Sequence, residues 1–378
     1  MSLTKMVSYL LGFVVGLLAI APPIGYSIPV IVNSYHWLYL LIVSGFLGMC
    51  LLFTKIPIPL KILSVFVFIS CFISQAPYAS FNAYICMIVA IYCYLAFLKC
   101  DYQPILNMVA AAFWIEFILT CMQLLGRDTL MCFGSTDKVF LGTIMQYMRF
   151  SSLLAIMTPL LILKNKWYII PILLFCVISK SSSFGLAVIM GVGTYAFMRF
   201  KRYRKLGVVG LLICLMGYIV WDWPSISVAF TCGRIPVWGD IIITWFFDTS
   251  KCAVPISKNF TSCPIDWKSI FIGRGLDTFL PLFPIFKHDF NPFPQAHNCW
   301  LQIAWETGAI GAILVSGYYL NLMRRLKDNP ILVAGLVCMG VNMFFAFPTR
   351  MTQTMLMMIC WVAYCEQTAR RMPIQRET

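Results

Sequence analysis

Apolar runs of close to twenty residues recur from one end of this 378-residue chain to the other. That repetition limits what the chain can fold into more than any other feature. Each run, as a helix, is long enough to cross about 30 Å of hydrocarbon, and inside lipid a helix satisfies every backbone polar group within its own segment. Twelve runs are read, at 5–21, 37–53, 61–74, 80–98, 104–125, 142–163, 167–179, 183–198, 206–221, 300–323, 331–347 and 351–365. The runs at 61–74 and 167–179 are short for a crossing. With 61% hydrophobic residues, 11% charged and a mean hydropathy of +0.85, the chain is unsuited to water. The expectation is an all-α polytopic membrane protein, a single integral membrane domain over 1–378.

Orientation follows from basic residues, because short loops rich in Lys and Arg stay in the cytoplasm. Lys55 and Lys61, Lys99, Lys164 and Lys166, the cluster from Arg199 to Lys205, Arg324 to Lys327, and Arg370 with Arg371 all fall on one side of the twelve-span reading. Both termini then lie in the cytoplasm. These loops also hold most of the formal charge of +14, so the charge implies no nucleic acid partner. Lys5, the apolar stretch after it and Ala19-Ile20-Ala21 resemble a secretory signal, but the segment reads as an uncleaved first helix. Of sixteen cysteines, Cys132, Cys232, Cys252, Cys263 and Cys299 fall on the outer side, where oxidation is possible. The spacing leaves both a Cys252–Cys263 bridge and reduced thiols open.

One connection is long. Residues 222–299 lie on the outer side between the ninth and tenth spans, and loops of that length in a compact protein usually carry function. Within it, 235–247 (IPVWGDIIITWFF) has the composition of a helix lying in the membrane interface, either a lid over a lipid substrate or a seal on the bundle. Outward-facing basic residues run against the topological bias and need another reason. Arg149, Lys180, Arg234 and Arg274 form such a set. Arg forks and helix starts together suit a diphosphate at the bilayer surface.

The loop ends in Ala296-His-Asn-Cys-Trp-Leu-Gln-Ile-Ala-Trp-Glu-Thr-Gly308. His297, one of three histidines, stands where a helix should begin, and the positive end of the helix dipole keeps an imidazole neutral and able to accept a proton. Asn298, Gln302 and Glu306 share one helical face and support the site; Glu306, about 14 Å along the helix, reads as structural.

These residues resemble the O-antigen ligase and polymerase superfamily of bacterial membrane glycosyltransferases. The resemblance rests on Gly233-Arg234 with Trp238, on Gly273-Arg-Gly275 with Phe279, and on Ala296-His-Asn298 with Gln302, Glu306, Gly308 and Gly311. It extends upstream to Gly142-Thr143 with Gln146 and to 179–187, where the family usually carries an Arg and this chain has Lys180 nearby without the bidentate fork. The resemblance implies transfer of a glycan from undecaprenyl diphosphate to an acceptor hydroxyl on the periplasmic face of the inner membrane. The acceptor is lipid A core for a ligase, a growing polysaccharide for a polymerase, or a protein side chain. It also implies no metal and no cofactor. His297 would be the general base, with Arg234, Arg149, Lys180 and Arg274 on the donor diphosphate. A transporter of lipid-linked glycan is the alternative of another class; it would favour polar residues at the midplane and related halves, and neither is evident.

Overall fold

In the computed structural model the described residues are 3–20, 58–125, 147–179, 181–200, 234–251, 263–287, 296–346 and 352–372, with isolated positions between 202 and 217. They are helical throughout; among them the only β pairing is an isolated bridge between Phe247 and Ile265. The helices are α1 (Leu3–Ile20), α2 (Ile58–Ile73), α3 (Pro77–Phe97), α4 (Tyr102–Leu124), α5 (Tyr147–Lys164), α6 (Ile169–Ser179) and α7 (Ser182–Arg199). Within the long connection lie α8 (Arg234–Phe246), the short α9 (Trp267–Phe271) and α10 (Phe279–Lys287), followed by α11 (Cys299–Arg325), α12 (Pro330–Phe345) and α13 (Thr352–Arg371). Among the described residues, three helices are long and apolar enough to cross a membrane: Pro77–Phe97, Tyr102–Met122 and Cys299–Arg325. The expected spans at 37–53 and, but for isolated positions, 206–221 lie outside the described residues.

The bundle is apolar inside and out. Its core runs from Leu11 and Val15 through Phe97, Phe113, Leu160 and Phe184 to Trp361, while Phe13, Ile118, Val177 and Ile313 point outward and exposed. A water-soluble helix carries its apolar residues on one stripe; apolar residues all round suit lipid. Small residues bring the helices together. Gly12 rests on the Pro104 carbonyl and Gly16 on Met108, so α1 and α4 lie side by side and parallel. Gly191 of α7 meets Cys338 of α12, and Gly335 of α12 meets Pro159 of α5 and Trp361 of α13. Pro159 has no amide hydrogen for the Ala155 carbonyl one turn back. The Cys338 thiol donates to that carbonyl instead, at 3.5 Å.

Helix ends follow local chemistry. Pro77 and Pro330 open α3 and α12 at positions where a missing N–H costs nothing, and the Asn329 side chain accepts from Leu332 N at α12. Asn165 caps a 3-10 turn over Lys166–Tyr168, which leaves α6 only 11 residues. At 1.5 Å per residue that is about 16 Å, roughly half the hydrocarbon thickness.

The expected single tenth span is instead two helical segments. Gly308 has φ 66° and ψ −174°, which interrupts α11 between 299–307 and 309–325. The Trp300 and Tyr319 rings lie 5.4 Å apart, although a straight helix would separate residues 19 apart by about 28 Å. The first segment therefore folds back, and both rings rest on one stretch of α12: Trp300 Nε1 donates to the Gly340 carbonyl at 3.1 Å and the Tyr319 hydroxyl to that of Leu336.

The break is filled by the loop. Arg274 N donates to the Trp305 carbonyl at 3.3 Å and Gly275 N to that of Glu306 at 2.9 Å, so carbonyls that lose helical partners at the interruption gain new ones. On the other side of the turn, Gln75 N and the Ser74 hydroxyl donate to the Arg274 carbonyl, and the Ser80 hydroxyl to that of Leu276. A Cβ at Gly308 would stand 2.3 Å from the Phe271 carbonyl carbon, and one at Gly273 (φ 82°) 2.2 Å from the Glu306 oxygen. We expect Gly308→Ala to lose more than about 2 kcal/mol, since a left-handed alanine alone costs about 1–2. Gly317→Ala, whose Cβ meets open space, should leave the thermal midpoint of the detergent-solubilised protein unchanged. Equal midpoints for the two variants would contradict the packed break.

Candidate functional site

Where the long connection is described, it is a folded unit with its own core. Val237 and Ile241 of α8, Phe279, Phe283 and Phe286 around α10, Ala296 and Trp305 pack together. The expected interfacial helix at 235–247 is α8, displaced by one residue, and its Val237, Ile241 and Thr244 point into this core. Trp305 Nε1 donates to Thr244 Oγ1 at 3.1 Å, and Trp245 Nε1 to the Ser269 carbonyl at 3.0 Å. Cys263 is disulfide-bonded. Cys132, Cys232 and Cys252 lie outside the described residues, and the Cys299 thiol donates to the Ala346 carbonyl at 3.6 Å.

Two of the sequence-predicted residues, Arg234 and His297, lie near each other at the head of this unit. Arg234 opens α8, and Trp238, one turn further on the same face, donates its indole N–H to the Ala296 carbonyl at 2.9 Å. That bond fixes the start of α8 against the residue before His297. The Trp238 ring also lies edge-on to Phe344, 5.4 Å away at the end of α12. His297 itself has φ 52°, a left-handed conformation uncommon outside glycine, and it immediately precedes the Asn298 cap of α11. Burial pushes the imidazole pKa down to about 4, and the nearby Arg234 charge adds to the shift. At neutral pH the ring is uncharged.

The polar stripe expected at 298, 302 and 306 is present and buried. Asn298 Oδ1 accepts from Leu301 N at 3.0 Å. Gln302 accepts from Ala296 N at 3.4 Å and donates to Glu306 Oε1 at 2.9 Å, while Glu306 Oε2 accepts from Asp277 N at 3.0 Å. The stripe is a continuous chain of hydrogen bonds from the residue before His297 to the turn that fills the helix break. Its members position; Glu306 anchors the loop turn.

Arg274 is placed differently from the expectation. It is 1% exposed, paired with Asp266 at 3.1 Å, 3.7 Å from the Phe286 ring centroid and bonded to the Thr244 carbonyl. Burial lowers its pKa to about 10, with Asp266 and Asp248 opposing, so it stays charged. A guanidinium so enclosed supports a role in holding α8, α9 and α10 together. Sequence could not separate this Arg from the others, because its partner Asp266 meets it only through the fold of the turn. Arg149 falls in the first turn of α5 and its side chain lies outside the described residues, as does Lys180.

No protein-family model matches the chain, and no curated protein matches it.

The depressed pKa sets a sign. A histidine held neutral contributes stability that is intact above the unfolded value of 6.5 and is lost as pH falls from 6.5 toward 4. We expect NMR of the histidine-labelled protein to show His297 titrating near 4, and Arg234→Gln to move it upward. A titration at or above 6.5 would contradict the buried neutral ring.

Proposed function

We propose that this chain is a membrane glycosyltransferase that moves a glycan from undecaprenyl diphosphate to an acceptor hydroxyl, with lipid A core as acceptor in the manner of an O-antigen ligase. The observation that carries the reading is the bond from Trp238 to Ala296, which joins the start of α8, with Arg234, to the start of α11, with His297. The reading sets twelve spans in the bacterial inner membrane, both termini in the cytoplasm, and the long connection in the periplasm. The disulfide at Cys263 supports an oxidising side for that connection.

In this reaction His297 takes the proton of the acceptor hydroxyl as its oxygen attacks the anomeric carbon. The bond from that carbon to the diphosphate breaks, and the diphosphate departs with the electron pair. One displacement inverts the anomeric configuration. A diphosphate is a good leaving group as an anion, so a guanidinium replaces the carboxylic acid that a glycosidase needs. Arg234 supplies that charge, helped by Arg149 or Lys180; the enclosure of Arg274 leaves it a positioning role. Bound diphosphate also offsets the Arg234 charge beside His297 and raises the basicity of the imidazole when the donor is in place. Polymerase and protein O-oligosaccharyltransferase activities use the same chemistry with other acceptors.

A transporter of lipid-linked glycan would draw support from the broken α11, since transporters build sites at helix interruptions. The carbonyls at this interruption, however, are bound by the protein's own loop.

Purified protein with labelled glycan on undecaprenyl diphosphate should transfer it to acceptor in the presence of a chelator. His297→Asn, which tolerates the left-handed backbone, and Arg234→Ala should each fall about 100-fold or more, and Arg234→Lys should retain part of the rate. Full activity in His297→Asn would remove the base assignment; bound donor without transfer by wild type would favour the transporter.

A further inference from the structure

Asn342 lies in α12, fully buried, and neither its side-chain oxygen nor its side-chain nitrogen has a hydrogen-bond partner. A carboxamide offers two donors and accepts two bonds, and leaving all of them unmet within an apolar bundle is costly. Such groups in native proteins call for an explanation.

The surroundings follow from the register of the helices. Gly335, Cys338 and Asn342 stand on one face of α12, at intervals of three and four residues. On that face Gly335 meets Pro159 of α5 and Trp361 of α13, and Cys338 donates to the Ala155 carbonyl of α5. The level one turn beyond Cys338 therefore carries Ser151 and Ser152 on α5, three and four residues before Ala155. It also carries Thr354 on α13, seven before Trp361. All three are buried, at 1% exposure or less. Among the described residues, four buried neutral polar side chains from three helices thus fall at one level of the bundle.

That level adjoins the candidate site. The Asn342 carbonyl accepts from Ala346 N one turn on, and the Ala346 carbonyl accepts from the Cys299 thiol, two residues after His297. Phe344 and Phe345, between them, carry the Trp238 ring.

We propose that Asn342, with the hydroxyls of Ser151, Ser152 and Thr354, forms a neutral hydrogen-bonding subsite that takes a sugar hydroxyl one helical turn beneath the start of α11. The inference rests on the glycosyltransferase reading and adds to it a specificity-determining position. The ligand is uncharged because none of these four side chains carries a charge to pair with an anion; the diphosphate belongs above, with Arg234. The sugar hydroxyl comes from either the donor glycan or the acceptor, and both present the same chemistry.

The test compares full-length wild type with Asn342→Leu and Asn342→Ser. Without substrate, Asn342→Leu should keep or raise the thermal midpoint, because the amide it removes makes no bond within the protein. With substrates, KM should rise about tenfold for one of them, with kcat within about threefold and partial recovery in Asn342→Ser. A rise in KM for the lipid-linked donor assigns the hydroxyl to the donor, and a rise for the acceptor assigns it there. A lowered midpoint with both KM values unchanged would make Asn342 a packing residue and overturn the subsite, as would a raised midpoint with both unchanged. Binding of labelled lipid-linked glycan, measured without transfer, separates the two claims. Wild type that binds glycan and loses it in Asn342→Leu, yet transfers nothing, keeps the subsite and removes the transferase; wild type that binds no glycan overturns both.

Discussion

A helix that breaks inside an apolar bundle must have its freed backbone groups bound by protein, because lipid offers no hydrogen bonds. That requirement at Gly308 organises the rest of this structure. The amides of Arg274 and Gly275 meet the carbonyls of Trp305 and Glu306, and the loop turn can approach so closely only because glycine stands at both 273 and 308. The turn is held from its far side by Ser74, Gln75 and Ser80. Three separate parts of the chain thus share one junction. The direction of the first segment of α11 is fixed there, and with it the position of His297 at the segment's other end.

The candidate site inherits its rigidity from this junction. From the break, Glu306, Gln302 and Ala296 run back as a chain of hydrogen bonds, and Trp238 closes the far end by binding the Ala296 carbonyl. A left-handed His297 persists because both neighbours are tied, Ala296 through its amide and carbonyl and Asn298 through its cap. The arginine side chains lie off this chain of hydrogen bonds. Arg274 sits sealed with Asp266 in the loop core, whereas Arg234 is partly buried and near the imidazole.

Much of this was legible in the sequence, for definite reasons. The apolar runs located α1 to α7 and α11 to α13 to within about six residues at each end, since a twenty-residue apolar stretch has little alternative to a helix. The stripe at 298, 302 and 306 was legible because the helical period is unbroken as far as Gly308. The break was not: a glycine in an apolar run reads equally as a close-packing position, and only the approach of Phe271 and Gly273 makes it a corner. Arg274 misled for a similar reason, as its exposure depends on Phe286 and Asp266 closing over it. Asn342 gave no sequence signal, because one Asn in a span with glycine and cysteine follows no pattern.

On the proposed twelve-span reading, the shortness of α6 has a consequence for the surrounding lipid. Its outward residues Ile170, Leu173, Leu174 and Val177 present an apolar face no taller than an 11-residue helix. A bilayer next to that face meets a hydrophobic mismatch, and it relieves such a mismatch most cheaply by thinning or by letting flanking side chains reach to the headgroups. The annulus around the bundle would then be uneven, with a dimple at α6. A dimple draws headgroups toward the midplane on one flank only, so a polar lipid head approaching from that side travels a shorter path through hydrocarbon than from any other.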